Sequence, residues 1–289
     1  MRVKWMSLCL ICGLAAGVAA AQTSPATPDI SAMYCSGIVT SDAVPQDTYL
    51  ISGEESYDKT TFNLHDLVYL NRGSNQGVKV GDEFLVVRAE TEQLKQEWFR
   101  PQNSLMRAMG TTYADRGRIR VVHVDAKVST AEIVFACSYL QRGDILLPFT
   151  ERPAPPLKPD GALAHFAPLV GKTAMIVSTK GFGQAVGPYE IVYVNMGAHE
   201  GAHVGSYFRM FRYQGDSKEY VYNEHGLAYK AYGFGSTPVS YTGADLPRDV
   251  VGEGVVLRVT GNTATVMVLS TRTGSVFAGD YVELESPQQ

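Results

Sequence analysis

The chain is short of several things. Beyond an apolar N-terminal run it has only two of its four cysteines, Cys35 and Cys137, and these do not form a C-x-x-C, which argues against thiol redox chemistry. It has no second apolar stretch near the ~20 residues that a membrane-crossing helix requires. It has no basic excess: 25 Lys and Arg face 29 Asp and Glu, a net charge of −4. A mildly acidic surface of this kind argues against nucleic acid or an anionic membrane face as the main partner, because both demand clustered Lys and Arg. There is no Gly-x-Ser-x-Gly, and the six histidines are scattered.

What is present at the N-terminus reads as an export signal. Arg2 and Lys4 precede an apolar run from Met6 to Ala20, and Ala19-Ala20-Ala21 supplies small residues for cleavage before Gln22. Residues 1–21 are therefore expected to be a signal peptide, and the mature protein periplasmic or secreted. Cys9 and Cys12 come too early for lipidation, and Ile11 is too large for the residue before a lipidated Cys. Removal of Arg2 and Lys4 leaves 23 basic residues against 29 acidic ones, a net charge near −6. In an oxidising compartment Cys35 and Cys137 read as a disulfide fastening an N-terminal segment, 22–47, to the first domain. Two separately buried thiols are the other reading.

The most informative feature is an internal repeat. DLVYLNRGSNQGVKVGDEFLVVR, from Asp66 to Arg88, aligns without gaps on EIVYVNMGAHEGAHVGSYFRMFR, from Glu190 to Arg212, with nine of 23 positions identical. The match resumes from Gly117 to Gly143-Asp144 against Gly254 to Gly279-Asp280, with a single indel. The repeat defines two units, 48–150 and 173–285, each the size of a small domain. Within each, short runs of β-branched and aromatic residues are bounded by Gly, Asn and Asp. The expected fold is all-β: two tandem small β-barrel or sandwich domains related by internal duplication. Loosely helical spacing of Leu94, Trp98, Leu105 and Met106 predicts one short helix within Thr91 to Met109. Four prolines within residues 151–161 of the 151–172 connection, Pro153, Pro155, Pro156 and Pro159, predict a semi-rigid spacer with few crossing contacts. Gln22 to Asp29 reads as an unstructured start.

The repeated Val-Tyr-x-Asn-x-Gly motif singles out Asn71, Gly73, Gly77 and Gly81 with Asn195, Gly197, Gly201 and Gly205. Its simplest sense is strand, turn and strand, with the Asn amide bonding backbone in a tight turn and the glycines at positive φ. The second copy also spells His199-Glu200-x-x-His203, the pattern of a zinc-dependent hydrolase. That chemistry needs a helix that puts both imidazoles on one face. The first copy has Asn75 and Lys79 at the histidine positions, and Gly201 interrupts the stretch, so the turn reading is preferred and no metal or other cofactor is expected. Gly171-Lys172-Thr173 has Phe166 where a phosphate loop needs glycine, and Gly181-x-Gly183 lacks the third glycine of a dinucleotide site. Asp144 and Asp280 fall where carboxylates cap turns, with no second acid to pair with, and no catalytic residue is assigned.

Unrelated insertions, Ala89 to Arg116 and Tyr213 to Val251, enter the two units at one topological point. Divergent loops on a shared scaffold are the usual form of a recognition surface. Candidate binding residues are Trp98 and Phe99 in the first and Tyr220, Tyr222, Tyr229, Tyr232 and Tyr241 in the second, although Tyr also simply suits strands.

The repeated Val-Tyr-x-Asn-x-Gly…Val-Gly step and the closing Gly-Asp resemble the C-terminal β-domain of the flagellar assembly protein T family. They also resemble uncharacterised acidobacterial envelope proteins grouped with LysM-type peptidoglycan binders. The resemblance implies an exported, non-enzymatic envelope protein and no catalytic residues. The function expected is a scaffold or adaptor for envelope proteins, with a carbohydrate or peptidoglycan binding module as the alternative and oligomerisation open.

Overall fold

The computed structural model describes residues 26–90, 97–158, 171–213, 247–272 and 274–285, so the signal peptide and the five insertion tyrosines lie outside the described residues. The chain enters through α1 (Ile30–Tyr34) and β1 (Ile38–Thr40). The first unit contains β2 (Leu50–Gly53), β3 (Thr61–Phe62), β4 (Leu67–Leu70), β5 (Glu83–Glu90), α2 (Gln102–Met109), β6 (Thr111–Val124), β7 (Ser129–Ala136), β8 (Leu140–Gln141) and β9 (Ile145–Pro148). The second contains β10 (Thr173–Thr179), β11 (Ala185–Val186), β12 (Ile191–Val194), β13 (Tyr207–Arg212), β14 (Asp249–Val259), β15 (Ala264–Thr271), β16 (Val276–Phe277) and β17 (Tyr281–Leu284). The fold is all-β, and α2 falls inside the stretch for which a helix was expected. Among the described residues no helix is long and apolar enough to cross a membrane.

Both units have one topology. The second is a closed barrel in the order β10-β12-β15-β14-β13-β17, and the first runs β2-β4-β7-β6-β5-β9. An antiparallel bridge from Tyr49 to Ile145 brings the two ends of the first sheet together, with the Leu50 amide donating to the Asp144 carbonyl at 2.9 Å. The small pairs β3–β8 and β11–β16 are also equivalent. Inside, the barrels match position for position: Leu50, Val68, Leu70, Val86, Val121 and Ile133 fill the first, and Ile176, Val192, Val194, Met210, Val256 and Val268 the second.

The strand registers correct one detail of the repeat. Gly117 lies opposite Val86 and Gly252 lies opposite Met210, so Gly117 is equivalent to Gly252 and not to Gly254. A Cβ on either glycine would press on a carbonyl oxygen of the neighbouring strand, Phe135 at 2.4 Å or Ser270 at 2.7 Å. A slip of two residues leaves every side chain on its own face of the sheet, which is why the hydrophobic pattern alone did not expose it.

The two units are not a string of separate beads. A third buried cluster joins Met33, Val39 and Met109, from the N-terminal segment and α2, to Val177, Ile191, Tyr193, Leu257 and Met267 on the outside of the second barrel. The connection is correspondingly more than a spacer: Ala154 and Leu157 pack on this cluster, and the Lys158 amide donates to the Tyr207 hydroxyl at 2.6 Å. Expectations for the start of the chain also change at residue 26. The Ala26 carbonyl accepts from the Leu157 amide at 2.7 Å, and the Asp29 carboxylate caps α1 by accepting from the Ala32 amide. Pro, Thr and Ala content predicted an unstructured start, but of the described residues Pro28 is buried.

Candidate functional site

The repeated motif builds the same turn twice. Ser74–Gln76 and Ala198–Glu200 each form one 3-10 turn. Gly77 and Gly201 follow at φ +85 and +101, and Gly81 and Gly205 at +94 and +86, as the sequence led us to expect. Gly73 and Gly197 are needed for a different reason. Their φ is negative, but a Cβ would lie 2.3 Å from the Asp125 carbonyl oxygen and 2.5 Å from that of Thr260. The asparagines also work at longer range than a tight turn. Asn71 accepts from the Tyr49 amide at 2.9 Å and Asn195 from the Met175 amide at 2.8 Å, each tying its strand to the neighbouring one.

This turn also accounts for His199-Glu200-x-x-His203. The Glu200 carboxylate accepts the Gly197 amide at 2.8 Å, as the Gln76 side chain accepts that of Gly73 at 2.9 Å. His203 pairs through Nδ1 with the Ser206 hydroxyl at 2.9 Å, and the His199 ring lies against Gly261. Gly201 ends the turn in the left-handed region, so the stretch is not the helix on which two imidazoles would share a face. Among the described residues no three His, Cys, Asp or Glu gather as a metal-binding group.

Asp144 and Asp280 cap turns, accepting from the Gln141 and Phe277 amides, but each also has a partner that sequence reasoning missed. Arg88 donates through Nε and Nη2 to Asp144 at 2.6 and 2.9 Å, and Arg212 does the same to Asp280 at 2.6 and 2.7 Å. Burial lowers the affinity of Arg88 for its proton, but the bonds and charge of Asp144 outweigh this and hold it above the usual arginine range. Both arginines were visible as identities of the repeat, and both acids as its closing Gly-Asp. The joint recurrence of the two was the signal available.

The distinctive site lies at the junction. Asp115, on β6, is fully buried and accepts from the Gly37 amide at 2.8 Å and from Arg258 Nη1 at 3.1 and 3.2 Å. Arg152 of the connection stands 4.0 Å away, and burial and then the like charge of Arg258 push its guanidinium below the usual range. The Tyr193 hydroxyl donates to the Ser36 carbonyl at 2.9 Å, and burial, then Glu90 and Asp115, push its pKa up. Cys35 and Cys137 are joined by a disulfide that clamps the same segment to the first barrel. Beside the disulfide opens a cleft of about 480 Å³, lined by Glu90, Asp115, Arg116, Lys180, Tyr189 and Glu190. A second hollow of about 290 Å³ shares Lys180 and Tyr189 with it.

Tyr189 projects between them, 73% exposed and at φ +68. It is the third residue of a turn, Gly187-Pro188-Tyr189-Glu190, closed by the Glu190 carboxylate on the Gly187 amide. Its equivalent, His65 at φ +72, follows Asn63 and precedes Asp66 in the same geometry. Proline at the second position and positive φ at the third mark a type II turn, where glycine is the unstrained choice. Pro188 was the residue from which this turn could have been found.

Of the aromatic candidates, Phe99 is buried at 8% exposure and Trp98 is half-buried, its amide donating to the Gln102 side chain. In the described part of the first insertion α2 lies on the second barrel, with Phe99, Gln102 and Met109 buried. Fold and site together define an all-β tandem-barrel protein with a disulfide-tied junction. No protein-family model matches the chain, and no curated protein matches it.

Proposed function

We propose that the protein is an exported, non-catalytic scaffold of the bacterial envelope that holds protein partners through the loops in which its two barrels differ. The observation that carries this is the junction: one buried carboxylate contacts the N-terminal segment and the second barrel, and a disulfide fastens that segment to the first. Asp115, Arg258 and Arg152 are engaged with one another there, and the repeated Arg–Asp clamps are paired likewise. A tied scaffold with variable loops suits recognition, because preorganised surfaces lose little entropy on binding. The N-terminal signal and the disulfide fit the oxidising periplasm or exterior. The resemblance to flagellar and peptidoglycan-associated envelope proteins agrees with this. Crosslinking in intact cells, with identification of captured proteins, tests it: a reproducible envelope partner is expected, and recovery of cytoplasmic proteins alone overturns it.

A second reading, a cell-wall glycan site, is favoured by Tyr189. An exposed ring held in a strained backbone, above a cleft with carboxylates and cations, suits stacking on a sugar with hydrogen bonds to its hydroxyls. Sedimentation with isolated cell wall, with Tyr189→Gly as the comparison, decides it: equal pelleting of both chains removes the reading.

A further inference from the structure

The duplicated barrels carry the same outer face, and among the described residues the second barrel's is covered while the first barrel's is partly exposed. On the second barrel, Val177 at the bulge between Ile176 and Ser178 and Leu257 at the bulge between Val256 and Arg258 are 0% and 1% exposed. The covering elements are β1 and α2. Gln102 of α2 donates to the Val177 carbonyl at 2.9 Å, while Tyr193 and Thr265 donate to the carbonyls of Ser36 and Gly37. The first barrel has the same two bulges, between Leu50 and Ser52 and between Val121 and His123. There the bulge residues are Ile51 and Val122, 37% and 42% exposed, and Tyr49, equivalent to Met175, is 39% exposed. Tyr69 and Thr130 occupy the positions of Tyr193 and Thr265, so the hydroxyl donors that seat a segment are retained.

The duplication also names the occupant. Helix α2 leaves the first barrel between β5 and β6 and covers the bulge face of the second. The insertion that leaves the second barrel between β13 and β14, residues 214–246, stands in the same relation to a barrel that would come after it. Its sequence supplies Tyr220, Tyr222, Tyr229, Tyr232 and Phe234 for an apolar contact. We propose that the Tyr49, Ile51 and Val122 face of the first barrel is a docking site for the 214–246 insertion of a second copy of this chain. Such an interface is heterologous and generates head-to-tail assemblies, rings if the rotation closes and filaments if it does not. It extends the scaffold reading but rests on the duplicated face alone, so purified protein tests it without any envelope partner.

The experiment is complementation between two variants, read by sedimentation velocity. Val122→Lys spoils the face and keeps the insertion; replacement of 214–246 by a short Gly-Ser turn keeps the face and removes the insertion. The wild-type chain is expected to associate with rising concentration, and each variant alone to sediment as a monomer with an apparent dissociation constant raised at least about tenfold. An equimolar mixture is expected to form a 1:1 dimer, since one chain brings the insertion and the other the face. Should the shortened chain fail to fold, Tyr229→Ser with Tyr232→Ser takes its place. A wild-type chain that stays monomeric, a Val122→Lys chain that associates unchanged, or a mixture that does not dimerise overturns the proposal.

Discussion

Arg258 on β14 reaches 3.1 Å from the carboxylate of Asp115 on β6, 143 residues earlier, and closes the junction between the two barrels. The carboxylate is wholly buried, and it also holds the Gly37 amide of the N-terminal segment. One side chain therefore ties three distant stretches of chain. In so dry a site the charges are tolerable only as a set.

Removing the acid leaves Arg258 and Arg152 facing each other without a counter-charge. Asp115→Ala is expected to cost about 3 to 5 kcal/mol. Calorimetry should then show two unfolding transitions where the intact chain shows coupled unfolding of both barrels. An unchanged single transition would contradict the junction's role.

The Cys35–Cys137 bond closes a loop of 102 residues. In the chain-entropy picture its loss is worth about 4 to 5 kcal/mol. Cys35→Ser with Cys137→Ser is expected to lower the stability measured in denaturant by that amount and to make residues 26–40 the first site of limited proteolysis. Equal resistance of both chains would show that the segment is held by packing alone.

Tyr189 and His65 sit in a backbone region that favours glycine, at a cost of roughly 1 to 2 kcal/mol each for an L side chain. Because both side chains are mostly exposed, little packing offsets the strain. Tyr189→Gly and His65→Gly are each expected to raise thermal stability. A fall in melting temperature for both would mean that the side chains contribute contacts larger than the strain.

Glu253 on β14 lies 3.9 Å from Lys158, with Glu285 close by. Burial, then the charge of Glu285, raises its pKa above the ordinary glutamate value despite Lys158 and Arg209. A carboxyl whose folded pKa exceeds its unfolded one binds protons more tightly in the native state. Its contribution is therefore present below the unfolded pKa and lost as pH rises through the folded one. Glu253→Gln is expected to stabilise the protein at neutral pH and to have no effect in acid. The same gain at pH 4 and pH 7 would exclude this cause.

Much of the barrel was readable from residues. Val68, Tyr69, Asn71 and Gly73 recur at a fixed spacing in Val192, Tyr193, Asn195 and Gly197, and alternation around them marks strands, because side-chain direction in a strand is a local property. Positive φ at Gly77 and Gly201 was legible for the same reason. The role of Gly73 was not, since what excludes a Cβ there is the Asp125 carbonyl, brought in by another strand. The partner of Arg88 was hidden likewise, 56 residues away at Asp144.

The sequence by itself determined two copies of one small β-domain, barrel or sandwich, a cysteine pair and a turn where a zinc motif is spelled, all of them consequences of local periodicity and composition. Only the tertiary structure decided that α2, the N-terminal segment from residue 26 and the start of the proline-rich connection pack on the outside of the second barrel. It also decided that Tyr49, Ile51 and Val122 on the equivalent face of the first barrel are left partly exposed. Which surfaces meet depends on apolar area contributed by residues far apart in the chain, and Asp115 and Arg258 carry no mark of each other until the fold brings them together.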